Sequence, residues 1–159
     1  MRKKKIYLDT SVISHLDAED TPEKMEVTLK LWDILNKNDE YETYISYLAY
    51  EEIDEYREPK RTYMRDMINK IDYIELSKNK DIENLVNAYL NSNVLSEKSI
   101  DDLTHIAVAV LSDVDYIISW NFKHFVNIKT VKAVNLVNEA LNYKAIEIIP
   151  PFMIVGGED

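Results

Sequence analysis

The sequence predicts an α/β fold with a mainly parallel central sheet of four to five short strands. Short apolar runs, typical of buried strands, alternate along the chain with longer segments whose apolar residues keep helical spacing. No internal repeat, low-complexity segment or linker rich in glycine, serine or proline divides the 159 residues. We therefore expect residues 1–159 to form a single domain.

Hydrophobic patterning and capping residues predict the elements in order. Residues 5–8 are expected to form a strand, and Thr10 or Ser11 to cap a helix over 11–16. A threonine followed by proline then begins a longer helix, predicted over 21–38.

The same alternation continues through the rest of the chain. A second strand, 42–45, leads into a helix that Ser46 caps, and Pro59 begins the next helix. A third strand over 73–76 and a helix over 81–90 follow. The remaining elements are a helix opened by Ser99, a fourth strand, a further helix and a fifth strand, at 100–111, 116–119, 131–141 and 145–149.

The composition limits the classes of protein that the chain can represent. Its 29 acidic and 19 basic residues give a formal net charge of −10, which disfavours binding nucleic acid through the overall field but is compatible with a local basic patch. It has no cysteine, and its two glycines, Gly156 and Gly157, form no phosphate-binding loop. Without an apolar run of roughly 20 residues, the chain is expected to be cytoplasmic and to have no membrane segment.

Acidic side chains stand at places where a folded chain usually avoids charge. Asp9 directly follows the first strand, the pair Glu51-Glu52 lies in the helix after the second strand, and the pair Asp101-Asp102 opens the most apolar helix. Asn121 follows the fourth strand. Because the carboxyl ends of parallel strands meet at one edge of a sheet, we expect these side chains to lie close together.

Each of these residues, taken alone, also has an ordinary structural explanation. Asp9 can cap the next helix, an aspartate in a first turn interacts with the helix dipole, and a glutamate can face solvent. A cluster of carboxylates, however, repels itself unless a cation or protons neutralise it. With no cysteine and three histidines, the ligands are mainly hard oxygens, which favour Mg²⁺ or Mn²⁺ over zinc. Such an ion binds phosphate oxygens and activates water, which predicts phosphodiester hydrolysis.

Four segments contain the acidic and amide residues described above: in chain order, IYLDTSVIS, ISYLAYEEIDEY, DDLTHIAVAV and DYIISWNFKHF. Together they resemble motifs of the PIN domain family, and more narrowly of the VapC-type ribonuclease toxins. The metal-site positions of the family correspond to four residues of this chain: Asp9, Glu52, Asp102 and Asn121. Glu51 is the alternative to Glu52, and the spacing to His105 selects Asp102 over Asp101. Many members have aspartate at the position of Asn121, so this chain departs from the pattern there.

The resemblance implies a PIN-like three-layer α/β/α sandwich and a divalent-metal-dependent ribonuclease, the toxin of a type II toxin–antitoxin pair. Asp9, Glu52 and Asp102, helped by Asn121, would hold one or two Mg²⁺ or Mn²⁺ ions and serve as the catalytic residues. The expected partners are an RNA substrate, a cognate antitoxin whose basic segment reaches the acidic pocket, and a second copy in a homodimer. The alternative is a catalytically weakened PIN-like module that binds RNA or protein, which Asn121 favours.

Two other phosphate-handling folds fit the sequence less well. A phosphatase of the haloacid-dehalogenase type needs a second aspartate two residues after the first, where this chain has Ser11. A receiver domain needs a lysine at the end of a later strand, where Ser119 stands.

Several neighbouring residues are expected to support the site. Thr10, Ser11 and Ser119 are candidates for orienting the carboxylates through hydrogen bonds. His105 is expected to pack or hydrogen-bond rather than to catalyse, and Trp120 to pack, with base stacking as its alternative role. The basic residues expected to contact RNA phosphates are Arg2 to Lys5, Arg57, Lys60-Arg61 and Lys123.

Overall fold

The computed structural model describes residues 2–37 and 39–156, which form a five-stranded parallel sheet covered by helices. The strands are β1 (Lys4–Leu8), β2 (Tyr41–Ser46), β3 (Ile74–Leu76), β4 (Tyr116–Ile118) and β5 (Glu147–Ile149). The α-helices in this part of the chain are α1 (Thr10–Ser14), α2 (Pro22–Lys37), α3 (Tyr47–Ile53), α4 (Lys60–Ile68), α5 (Lys80–Asn91), α6 (Ile100–Leu111), α7 (Ile128–Ala140) and α8 (Phe152–Val155).

The order of the strands places β1 at the centre of the sheet. The order is β3-β2-β1-β4-β5 and every pairing is parallel, with Ile6 opposite Thr43 on one side and Tyr116 on the other. The chain winds outward from β1 in one direction and then returns to add β4 and β5 on the opposite side. Such a reversal opens a crevice beyond the carboxyl ends of the two central strands.

Alternating side chains of β1 face two separate cores. Ile6 and Leu8, both fully buried, belong to the core with α1 to α4, whereas Tyr7 belongs to the core with α5 to α7. This alternation follows from the two-residue repeat of a strand, and a central strand with both faces covered is apolar on both. The two cores and the sheet between them confirm the predicted α/β/α layering and the mainly parallel sheet.

Three local features differ from the sequence-based prediction. Asp9, rather than Thr10 or Ser11, is the N-cap of α1, because its side chain accepts a hydrogen bond from the Val12 amide. Ser46 occupies the cap position of α3 but directs its hydroxyl to Tyr7 instead of the helix amides. The short helix α8 was not predicted, since four residues after two prolines give no helical repeat.

The boundaries of the longer elements agree with the prediction within a few residues. Helix α6 spans the predicted 100–111, and α2 reaches Lys37, while the predicted end near Asn38 lies outside the described residues. The expected single domain over 1–159 likewise extends beyond the described part at both ends. Within the described residues, no helix combines the length and the apolar character needed to cross a bilayer.

Candidate active site

A cavity of about 400 Å³ opens at the carboxyl edge of the sheet, where the reversal of strand order predicts a crevice. Four acidic residues line it: Asp9 after β1, Glu52 from α3, Glu55 just after α3 and Asp102 from the first turn of α6. Asn121, from the turn after β4, also lines it. The structure therefore brings together all four residues that the sequence motifs selected.

Asp9 is held by hydrogen bonds on both carboxylate oxygens. Its Oδ1 accepts from Ser11 Oγ at 2.6 Å and from the Val12 amide at 3.2 Å, and its Oδ2 accepts from Ser119 Oγ at 2.6 Å. Only 4% of the residue is exposed, so burial raises the pKa of Asp9, although the charge of His105 and these hydrogen bonds oppose the rise. Asp9 is thus both a helix cap and a fixed wall of the cavity.

Glu52 is paired with a buried histidine from α6. His105 Nε2 donates a hydrogen bond of 2.8 Å to Glu52 Oε1, and Thr10 Oγ1 donates to the same oxygen. Burial acts to lower the pKa of His105, but the hydrogen bond and charge of Glu52 outweigh it and raise that pKa. For Glu52 burial acts in the opposite direction, and the same pairing outweighs it and lowers the pKa. The pairing therefore favours the ionised form of each partner.

Behind this pair, a buried hydrogen-bonded chain continues into the core. His105 Nδ1 contacts Tyr7 Oη, which in turn lies 2.8 Å from Ser46 Oγ. Burial raises the pKa of Tyr7 well above its usual value, so the phenol stays protonated. His105 is 3% exposed and its ring meets Phe125 edge-on. These contacts confirm the expected packing and hydrogen-bonding role for His105.

Asp102 and Asn121 are connected through His124. The Nδ1 atom of His124 donates a hydrogen bond of 2.8 Å to Asp102 Oδ2, and its backbone amide donates one of 2.9 Å to Asn121 Oδ1. The amide carbonyl of Asn121 is therefore engaged in a local turn rather than free within the cavity. Sequence reasoning missed His124, because no local pattern indicates a contact with an aspartate 22 residues earlier.

The neighbours of the selected acidic residues face elsewhere. Glu51 and Asp101 are exposed and do not line the cavity, so the structure distinguishes them from Glu52 and Asp102. Glu55 and Tyr56 line it instead, because the turns that follow α3 bring them back beside Glu52. A spacing of three and four residues from Glu52 is the signal by which the sequence could have indicated them.

The chemistry of these donors fits a hard divalent cation. The cavity presents carboxylate, hydroxyl and amide oxygens, which are the ligands of Mg²⁺ and Mn²⁺, and the chain has no cysteine to favour zinc. Within the described residues, no three or more histidine, aspartate or glutamate side chains are already grouped as a metal site. Glu52 and Asp102 each direct an oxygen to a histidine. The donors thus fit the ion in chemical type, whereas the side chains of Glu52 and Asp102 are paired with histidines in this structure.

The cationic residues predicted to bind phosphate lie in different parts of the molecule. Arg2 and Lys3 lie at the opposite edge of the sheet, where they pair with Asp115 and Asp39, so they do not line the cavity. Lys60 lies near the cavity, because its ammonium sits 5.3 Å from the ring centre of Tyr56.

Comparisons with known proteins agree with the architecture. No protein-family model matches the chain, and no curated protein matches it. Among solved structures, the chain is similar to one in the crystal structure of VapBC2 from Rickettsia felis bound to a DNA fragment from their promoter, with a TM-score of 0.53 and 11% identity. The similarity covers 92% of this chain and 98% of that one. At this identity the likeness is one of fold, and the chain has a PIN-like α/β fold.

Proposed function

We propose that the chain is a divalent-metal-dependent ribonuclease of the PIN type that hydrolyses RNA phosphodiester bonds. The observation that carries this proposal is the convergence of Asp9, Glu52 and Asp102, from three separate segments, on one cavity at the carboxyl edge of the sheet. Among the described residues, no lysine or arginine pairs with any of the three. Such a set of acids is suited to a divalent cation.

Asp9, Glu52 and Asp102 would hold Mg²⁺ or Mn²⁺, with Asn121 beside them. A bound ion of this kind supplies Lewis acidity, which stabilises charge on a phosphate and lowers the pKa of an attacking water. The protein's own residues position the acidic side chains. Ser11 and Ser119 fix both oxygens of Asp9, and His124 holds Asp102. His105 and Thr10 hold Glu52 in the same way, so the acidic oxygens are oriented before substrate binds.

An RNA substrate would have to approach an acidic protein through local positive charge. Lys60, beside the cavity residue Tyr56, is the predicted basic residue that the structure brings near the site. Contacts of this kind are made to phosphate, so binding should weaken as salt concentration rises.

The proposal includes a biological role as the toxin of a type II toxin–antitoxin pair. Its support is the likeness of fold to a chain of the VapBC2 complex, together with the sequence motifs. The partner would be an antitoxin whose basic segment enters the acidic cavity and competes with RNA for it. The proposed assembly also includes a homodimer of this chain.

A cleavage assay with purified protein and total RNA tests the proposed activity. We expect cleavage in Mg²⁺ or Mn²⁺, no cleavage after chelation of the metal, and none by the Asp9→Asn variant. Asp115→Asn is the matched control, because it neutralises a partly buried aspartate at the opposite edge of the sheet. Equal cleavage by the wild type and the Asp9→Asn variant would refute the assignment.

A second candidate is a catalytically weakened PIN-like module that binds RNA or protein. The observation that favours it is the neutral amide of Asn121 at the position where many family members have aspartate, with its Oδ1 already accepting a hydrogen bond from the His124 amide. Replacing Asn121 by aspartate discriminates the two candidates. If the wild type does not cleave RNA and the Asn121→Asp variant does, the result would favour the weakened module.

A further inference from the structure

An exposed aromatic ring belongs to the turn after β4, next in the chain to a residue that lines the cavity. Phe122 follows the cavity residue Asn121 directly and is 43% exposed, whereas the preceding Trp120 is 6% exposed. The two rings meet edge to face, with centres 6.1 Å apart. Trp120 is therefore a packed residue, whereas Phe122 presents apolar surface to solvent.

The segment that carries Phe122 is tied to the acidic site. Ser119 Oγ donates to Asp9 Oδ2, and the amide of Trp120 donates to Ser11 Oγ at 2.9 Å. The indole of Trp120 is fixed from the other side, because its Nε1 donates to Thr28 Oγ1 at 2.9 Å. The amide of Phe122 then closes a tight turn by donating to the Trp120 carbonyl. The position of the exposed ring relative to Asp9 is thus set by a short series of hydrogen bonds.

A lysine from another element sits against this ring. The ammonium of Lys24, on α2, lies 5.1 Å from the ring centre of Phe122 and 5.5 Å from that of Trp120. No carboxylate of residues 2–37 or 39–156 pairs with Lys24, in contrast to Lys30 on the same helix, which pairs with Glu26. The ammonium therefore keeps its charge available to an anion from outside the protein.

We infer that Phe122 and Lys24 form a subsite for one unpaired nucleobase and its adjoining phosphate. The inference rests on the proposed ribonuclease function and assigns two residues of this chain to binding its substrate. An exposed ring stacks a base of any identity, and a neighbouring cation binds the adjoining phosphate. A base within a duplex has no free face, whereas an unstacked base of a single strand does. The adjacent acidic cavity then receives the next phosphate along the strand.

Fluorescence of a base analogue tests the subsite without relying on cleavage. The probe is a short oligouridylate with one 2-aminopurine, moved one position at a time and mixed with full-length protein carrying Asp9→Asn. We expect quenching at one position, loss of that quenching when Phe122→Leu is added, and binding weakened at least about 5-fold. Phe122→Trp should retain the quenching. Tyr143→Leu, which removes an exposed ring before β5, is the matched control.

The lysine provides an independent measurement. Lys24→Met should weaken binding of the same oligonucleotide and reduce the salt dependence of log K by about one unit, because one phosphate contact is lost. Lys30→Met, on the same helix, should change neither quantity. An unchanged salt dependence in Lys24→Met would remove the lysine from the subsite.

The outcomes separate the subsite from the proposed function. If quenching does not depend on Phe122 at any position while the wild type cleaves RNA, the subsite is wrong and the ribonuclease stands. If quenching depends on Phe122 but the wild type cleaves no RNA, the subsite stands and the ribonuclease function is wrong. Absence of oligonucleotide binding would overturn the subsite, and the exposed ring would then be assigned to contact with a protein.

Discussion

The acidic residues at the two edges of the sheet have different hydrogen-bond and charge partners. At the amino edge, Asp115 accepts hydrogen bonds from the ammonium of Lys144 at 2.6 Å, from the Lys5 amide at 2.9 Å and from Arg2 at 3.1 Å. At the carboxyl edge, Asp9 accepts hydrogen bonds from the hydroxyl groups of Ser11 and Ser119 and from the Val12 amide. Glu52 pairs with His105, whose charge depends on pH. Lysine and arginine neutralise Asp115, whereas among the described residues neither kind pairs with Asp9 or Glu52.

This difference indicates a stabilising role for Asp115 and a ligand-binding role for Asp9. Charges of Lys144 and Arg2, together with the hydrogen bonds, outweigh burial and lower the pKa of Asp115, so its ionised form stabilises the fold. Burial instead raises the pKa of Asp9, and its hydroxyl partners offset that rise only in part. A buried acid without a cationic partner costs folding free energy. Such a cost at a cavity is typical of functional sites, where an incoming ligand supplies the missing charge.

The largest expected effect comes from Glu52. Glu52→Gln should lower RNA cleavage at least about 100-fold, because loss of a metal ligand should exceed the roughly 10- to 100-fold cost of losing a residue that supports one. Glu51→Gln, its exposed neighbour, is the control and should cleave like the wild type. Rates measured at saturating Mn²⁺ decide between them. Equal losses in the two variants would contradict the assignment of Glu52.

His124 should have the next largest effect. His124→Ala removes the donor that holds Asp102 Oδ2 and should lower cleavage about 10- to 100-fold. His124→Gln retains a side-chain donor and should restore part of the activity. A purely structural role predicts the same loss of thermal stability in both variants without selective rescue of cleavage, which a melting curve measured beside the rate would reveal.

At the amino edge the expected effect is on stability rather than activity. Asp115→Asn should lower the free energy of unfolding at pH 7 by about 1–3 kcal/mol, because hydrogen bonds to a charged group are lost. The folded pKa lies below the ordinary value of 3.8, so the stabilisation is present above that pH and disappears as the pH falls through the folded pKa. Urea denaturation at neutral and acid pH should show the difference between wild type and variant shrinking on acidification.

The smallest effect should come from the exposed partner of the same aspartate. The Arg2 side chain is 57% exposed, so Arg2→Met should cost less than about 1 kcal/mol, and high salt should reduce even that cost. Comparison of its denaturation midpoint with that of Asp115→Asn tests the ranking. A larger loss for Arg2→Met would show that the aspartate is held mainly by the surface ion pair.

The sequence predicted the architecture because strong local patterns determined it. Helix α6 begins after Ser99 and ends in an unbroken apolar run over 106–111, and its predicted and observed bounds coincide. The two glutamates of α3 could be ranked only by resemblance, and the three-dimensional structure showed which one faces the cavity. Segments with a regular hydrophobic repeat therefore predict their secondary structure from sequence alone.

Two contacts that the sequence did not reveal depend on one loop. His124 meets Asp102, and Lys24 meets Phe122, only after the turn that follows β4 has folded against α6 and α2. Neither pair has a fixed spacing in the chain. The position of Arg2 has a different origin, because a basic residue near Asp9 in sequence lies at the far end of β1 in space.

Calorimetric titration with Mn²⁺ tests most directly whether the carboxyl edge is the one that accepts a cation. The wild type and Asp115→Asn should bind Mn²⁺ with the same affinity, and Asp9→Asn should bind at least about 10-fold more weakly. Equal affinity in the Asp9→Asn variant, or no binding by the folded wild type, would contradict the role assigned to these acids.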